Sequence, residues 1–223
     1  QGIRNRVSAN TKIYYAQGCG MYEQSKDGFE KAVEAARKSK VAVVVVGESS
    51  MITSGVGWGF DSGMVALSGE GYDRSDLDLP GIQQALVEEI VKTGVPTVVV
   101  LVNGRPLSIS WIAEHVPAIL EAWYPGEEGG NALADILFGN VNPSGKLPVS
   151  FPKTVGQSPV YYNHKPSARG YYHMPGSLEK PGRDYVFLDT KPLFEFGHGL
   201  SYTQFEYSDL KVSAEKIRPH ESV

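Results

Sequence analysis

The chain has 223 residues, 41% of them hydrophobic and 21% charged, with a formal charge of −4. That composition supports a large folded core, excludes a disordered chain, and with 25 acidic against 21 basic residues excludes nucleic acid as the principal partner. The longest unbroken apolar run, Val41 to Val46, is far too short to span a bilayer, no N-terminal stretch reads as a signal peptide, and Cys19, the only cysteine, permits no intrachain disulfide.

From residue 27 the sequence alternates helical and strand signals, the pattern of a mostly parallel sheet with helices on both faces. Asp27 is placed to cap a helix over Glu30 to Lys38, with Phe29, Val33 and Ala36 on one face. Val41 to Val46 does not alternate and reads as a strand buried on both sides. A second helix is expected from Ile82 to Lys92, after Pro80 and ended by Gly94. Thr97 to Val102 is a second buried strand, closed by the Asn103-Gly104 turn, and Ala118 to Ala122 a shorter third. Asn131 to Phe138 is a further helix, and Lys146 to Phe151 reads as an edge strand because Pro148 lacks a ladder donor.

The expected organisation is an α/β fold with an entry segment at 1–39, a core at 40–153, a long ordered loop or arm at 154–200, and at 201–223 a linker or the opening strand of a further β domain. The start at Gln1 suggests a fragment or a processed chain. Ligands of open parallel sheets bind beyond the carboxyl ends of the strands, which points to the loops Gly47 to Leu79, Asn103 to Pro106 and Trp123 to Gly130.

Several motifs in these regions mislead. Gly55, Gly57 and Gly59 lack dinucleotide-loop spacing, and Trp58 would crowd a pyrophosphate. "GNVNPSGKL" carries Pro143 and Leu147 where a phosphate loop needs an amide donor and a hydroxyl. Asp73, Asp76 and Asp78 enclose Arg74, which favours a salt-bridged loop over calcium. His164, His173 and His198 share no metal-ligand spacing, so neither a metal nor a cofactor is expected.

Glu70 lies between two glycines and is separated from Tyr72 only by Gly71, in "SGEGYDRSDLDLPG". A carboxyl near aromatic surface is desolvated, which raises its pKa and suits a general acid, although a loop glutamate is more often simply solvated. This segment, with "VAVVVVGESS", "VPTVVVLVNGRPLSISWIAEHVPAILEAWYPGEEGGNALADILFGNVNPSGKLPVSFP" and "PLFEFGHGLSYTQFEYSDL", resembles in four successive motifs the C-terminal α/β sandwich domain of glycoside hydrolase family 3, the β-glucosidase and β-xylosidase family.

The resemblance implies a retaining exo-acting β-glycosidase in which a TIM-type barrel supplies the nucleophilic Asp and this domain the acid/base Glu. It puts that role on Glu70, with Glu48 as second candidate; Glu127 and Glu128 are expected to hold a loop through backbone hydrogen bonds. Trp58, Phe60 and Tyr72 are candidates to stack on the leaving-group side of a β-linked glucoside or oligosaccharide; packing of the long loop is the other reading. The barrel's motifs are absent here, so the chain by itself is expected not to hydrolyse glycosides, and residues 201–223 look like the start of a fibronectin-like domain. The resemblance also implies a periplasmic or secreted protein. The competing expectation is a non-catalytic α/β domain that binds carbohydrate or docks to another subunit.

Overall fold

A computed structural model describes residues 1–50, 67–68, 73–163, 179 and 187–221. Three parallel strands, β1 (Ala42–Gly47), β2 (Thr97–Val102) and β3 (Ala118–Glu121), form a sheet in the order β1-β2-β3. Helices α1 (Gly2–Arg6) and α2 (Phe29–Arg37) precede β1. Helix α3 (Gln83–Val91) connects β1 to β2, α4 (Ser110–His115) connects β2 to β3, and α5 (Gly129–Leu137) follows. This is the α/β architecture expected from the alternating pattern.

β1 and β2 form where β-branched residues dominate, because their stiff side chains fit a pleated surface better than a helix. Register pairs Val44 with Val99, Val46 with Leu101 and Val99 with Ile119, which aligns these side chains on one face. That face packs with Val87 of α3, Ile112 of α4, and Leu107 and Ile109 before α4 to make the principal core. Phe29 and Ala36 of α2 pack on Leu86 and Ile90 of α3 in a second cluster that half-buried Cys19 joins.

Gln83 closes the outer edge of β1. Its Oε1 accepts the Gly47 N–H at 2.7 Å while its Nε2 donates to the Gly47 carbonyl at 2.6 Å, so a side-chain amide takes the place of a neighbouring strand. Gly47 itself approaches Val102 so closely that a Cβ would lie 1.8 Å from the Val102 carbonyl oxygen. Only glycine fits there.

Four expectations need correction. The first strand is not buried on both sides: Val43 and Val45 are 37% and 62% exposed. Asp27 does not cap α2; Gly28 is the N-cap, without a side-chain bond. Lys146 to Phe151 forms no continuous strand. Its backbone pairs antiparallel with 193–198 at Leu147 and Phe151, but Pro148 has no N–H to give between them, and the Ser150 hydroxyl accepts the Phe196 N–H instead. Helix α4 was not anticipated, since six residues hold too few turns to show a period.

The N-terminal segment is tied to α5 by Arg6, whose Nε and Nη2 reach the Asp135 carboxylate at 2.7 Å each. Residues 201–221 contain no regular strand, and Phe205, Tyr207 and Leu210 are exposed.

Candidate functional site

The carboxyl ends of the three strands converge on one polar cluster. The β1-β2 ladder runs one residue past β1, where the Glu48 N–H donates to the Val102 carbonyl at 3.0 Å, and this turns the Glu48 side chain into the end of the sheet. There it is fully buried. Glu48 Oε2 accepts from Arg74 Nη1 at 2.9 Å, Oε1 accepts the Gly104 N–H at 3.2 Å, and Arg105 Nε stands 3.9 Å from Oε1. Both carboxylate oxygens are therefore engaged by donors.

Arg74 spreads its guanidinium over three acceptors. Besides Glu48, its Nη2 donates to Asp76 Oδ1 at 2.7 Å and to the Asp78 carbonyl at 2.6 Å. The acidic loop considered for calcium is thus organised around a cation of its own chain. Among the described residues no group of three or more His, Cys, Asp or Glu could hold a metal ion.

On the other side, Ser68 bridges to Ser50, its N–H donates to the Ser49 carbonyl at 3.1 Å, and its hydroxyl shares a 2.6 Å hydrogen bond with the Tyr124 hydroxyl. The Tyr124 hydroxyl also donates to the Glu48 carbonyl at 3.5 Å. Gly104 makes this approach possible: a Cβ there would lie 2.7 Å from Tyr124 Cε2 and 2.8 Å from Ser68 Oγ.

Glu121 ends β3. Its Oε1 accepts the Trp123 N–H at 2.9 Å, while Oε2 is buried without a hydrogen-bond partner among the described residues. Burial pushes its pKa up to about 7; the Trp123 N–H and the Asn103 amide pull it down, and the nearby Glu48 charge adds to the rise. Trp123 has a φ of 50°, a left-handed conformation that costs a non-glycine residue about 1–3 kcal/mol, and its ring meets Phe151 edge-on at 5.9 Å.

Of the residues singled out in the sequence, the structure places Glu48 in this cluster. Glu70, Trp58, Phe60 and Tyr72 lie outside the described residues. The flanking anchors Ser68 and Arg74, the buried Asn103, and the partly buried Glu121 and Tyr124 are not among the site residues expected from the sequence. Glu121 had a signal: it is the only charged residue in the apolar run Ala118 to Trp123. Glu128 binds the Asn131 side-chain amide at 2.7 Å rather than backbone.

Comparison with known proteins places the chain in a family. Residues 1–202 match the model of the glycosyl hydrolase family 3 C-terminal domain. The chain belongs to glycosyl hydrolase family 3. A β-xylosidase of Formosa agariphila is 46% identical over 97% of the chain, and a periplasmic β-glucosidase of Salmonella typhimurium is 39% identical over 96%. The chain spans only 27% and 28% of those two relatives. Among solved structures, a β-glucosidase of Listeria innocua in complex with glucose superimposes with a TM-score of 0.69 at 34% identity, covering 84% of this chain and 24% of that one. The parallel sheet with its helices is the fold of that family's C-terminal domain.

Proposed function

We propose that this family 3 domain supplies the acid/base carboxylate, Glu70, to a retaining exo-acting β-glycosidase, and that a TIM-type barrel outside the chain supplies the nucleophilic Asp. The observation that carries this reading is the polar cluster at the carboxyl ends of β1, β2 and β3, where Ser68 and Arg74 hold both flanks of the segment that contains Glu70. The substrate is a terminal non-reducing β-linked sugar, glucose first, in keeping with the relatives named β-glucosidase. The relative named a periplasmic β-glucosidase also supports a periplasmic or secreted location.

In the first step the barrel's carboxylate attacks the anomeric carbon while Glu70 gives its proton to the departing glycosidic oxygen. In the second, Glu70 takes a proton from water, which displaces the enzyme carboxylate and restores the original configuration. The two carboxyl groups must stand roughly 5 to 5.5 Å apart. Glu48 is unsuited to the proton-giving role, since the donors on both its oxygens leave no free oxygen to face a leaving group. Its part is to hold the loops. Trp58, Phe60 and Tyr72 offer apolar faces for the leaving-group sugar; Trp58→Ala should weaken binding of short oligosaccharides, and unchanged affinity would remove that role.

The test is Glu70→Ala in the full-length glycosidase. Loss of a positioned general acid costs about 10²- to 10⁴-fold for alkyl glucosides, whose leaving groups need protonation, and little for dinitrophenyl glucoside. Equal, small effects on both substrates would reject Glu70 as the acid. Rates on nitrophenyl β-glucoside and β-xyloside assign the sugar.

A further inference from the structure

We propose that Glu121 is a pH-dependent latch on the loop from Trp123 to Gly130: the protonated acid stays at the end of β3 and holds Trp123, and the ionised group leaves for water and releases it. The latch does not depend on which carboxylate serves as acid/base.

Two carboxylates stand at the carboxyl end of one small sheet, and only one is surrounded by donors. Glu48, at the end of β1, has Arg74 Nη1 at 2.9 Å, the Gly104 N–H at 3.2 Å and Arg105 Nε at 3.9 Å. Glu121, at the end of β3, accepts the Trp123 N–H on Oε1 at 2.9 Å, while Oε2 is buried without a hydrogen-bond partner among the described residues. Asn103, from the loop after β2, presents a second such oxygen, Oδ1, and its Nδ2 donates to the Arg105 carbonyl at 2.8 Å. On the loop itself, Tyr124 directs its hydroxyl to Ser68 at 2.6 Å. A proton on Glu121 turns one of the two unpaired acceptors into a donor. Ionisation leaves both without one and sets a second negative charge near Glu48, a costly state for a partly buried carboxylate.

Trp123 is the residue that feels the release. Its φ of 50° is a strained conformation, of a kind that persists only while the surroundings hold it. Two contacts hold it: its N–H on Glu121, and its ring edge-on to Phe151 at 5.9 Å. Loss of the first lets the backbone relax. Tyr124 follows directly, so release also draws its hydroxyl away from Ser68 and from the Glu48 carbonyl, and the polar cluster opens on the β3 side. Burial holds the Glu121 pKa at about 7 against an ordinary 4.5. A released, solvated carboxyl returns to the lower value, so release grows as pH rises from 4.5 to 7 and is constant above 7, by a factor on the order of 100 in all.

The experiment follows hydrogen exchange of the Trp123 amide in the full-length protein from about pH 5 to about pH 8, corrected for the base catalysis of exchange, in the parent and in Glu121→Gln. The glutamine carbonyl can still accept the Trp123 N–H, but the side chain cannot ionise. The latch predicts that protection in the parent falls on the order of 10- to 100-fold between about pH 5 and about pH 7 and then levels off, while Glu121→Gln keeps its protection throughout. The parent amide should also be less protected than the amides of β2, because the loop opens without unfolding the sheet. Protection independent of pH in the parent, or the same fall in Glu121→Gln, would overturn the latch. So would a Trp123 amide as well protected as β2, since the loop would then open only with the whole fold. Should Glu121→Gln not fold, the parent's profile and its comparison with β2 still decide the matter.

Discussion

Glu121 shows how strand geometry can set the protonation of a single residue. It ends β3 beside Leu101, in register across the sheet, with the charge of Glu48 nearby. A pKa of about 7 in the fold against an ordinary 4.5 means that the folded state favours the protonated acid. Below pH 4.5 it therefore carries no penalty from this group; as pH rises from 4.5 to 7 the penalty grows, and above 7 it is complete. Glu121→Gln should raise the melting temperature relative to the parent by an amount that grows over that window and then levels off. A difference independent of pH would contradict the burial of an ionisable acid there. Gly104 is a second such residue. Alanine would drive a methyl group into Tyr124 and Ser68, at a cost of about 1–3 kcal/mol from overpacking, and should lower both thermal stability and glycosidase activity. Unchanged melting would mean that the Ser68–Tyr124 pair is not as close as described.

At the level of elements, strands were legible as short, mostly apolar runs between turn signals. Thr97 to Val102 is found at its expected bounds, and Ala118 onward within one residue. The partners that finish those strands were not legible, because they are distant in sequence. Gln83 is 36 residues from Gly47, and nothing in a glutamine at the start of a helix announces that it will pair with a strand edge. Gln83→Leu keeps the bulk but leaves the Gly47 N–H and carbonyl unpaired on that side, and each such buried group costs about 1–3 kcal/mol. A lowered urea midpoint with unchanged slope is expected; an unchanged midpoint would show that the strand edge does not depend on Gln83. Pro148 illustrates the reverse error. Its missing donor was read as compatible with an edge strand, but with Ser150 taking the next partner by its side chain it leaves only an isolated bridge at Phe151.

For the whole molecule, the site was partly legible through topology. The rule that ligands bind beyond the carboxyl ends of parallel strands selected the three loops whose residues converge on Glu48. What the sequence could not reveal is the pairing itself: Arg74 stood among acidic residues and could have answered any of them, and only the folded sheet brings Glu48, 26 residues away, into contact. The chemistry proposed for this domain, a proton given and then taken by one carboxylate while another polypeptide segment forms the covalent bond, goes beyond that topology.

That division of labour is tested most directly by azide rescue of Glu70→Ala in the full-length enzyme acting on dinitrophenyl β-glucoside. Removing the carboxylate leaves room and removes a negative charge where a small anion can enter and attack the glycosyl-enzyme. The account predicts that azide accelerates turnover and yields the glycosyl azide with retained β configuration. Turnover unaffected by azide, with no glycosyl azide formed, would contradict the assignment of the acid/base to this domain.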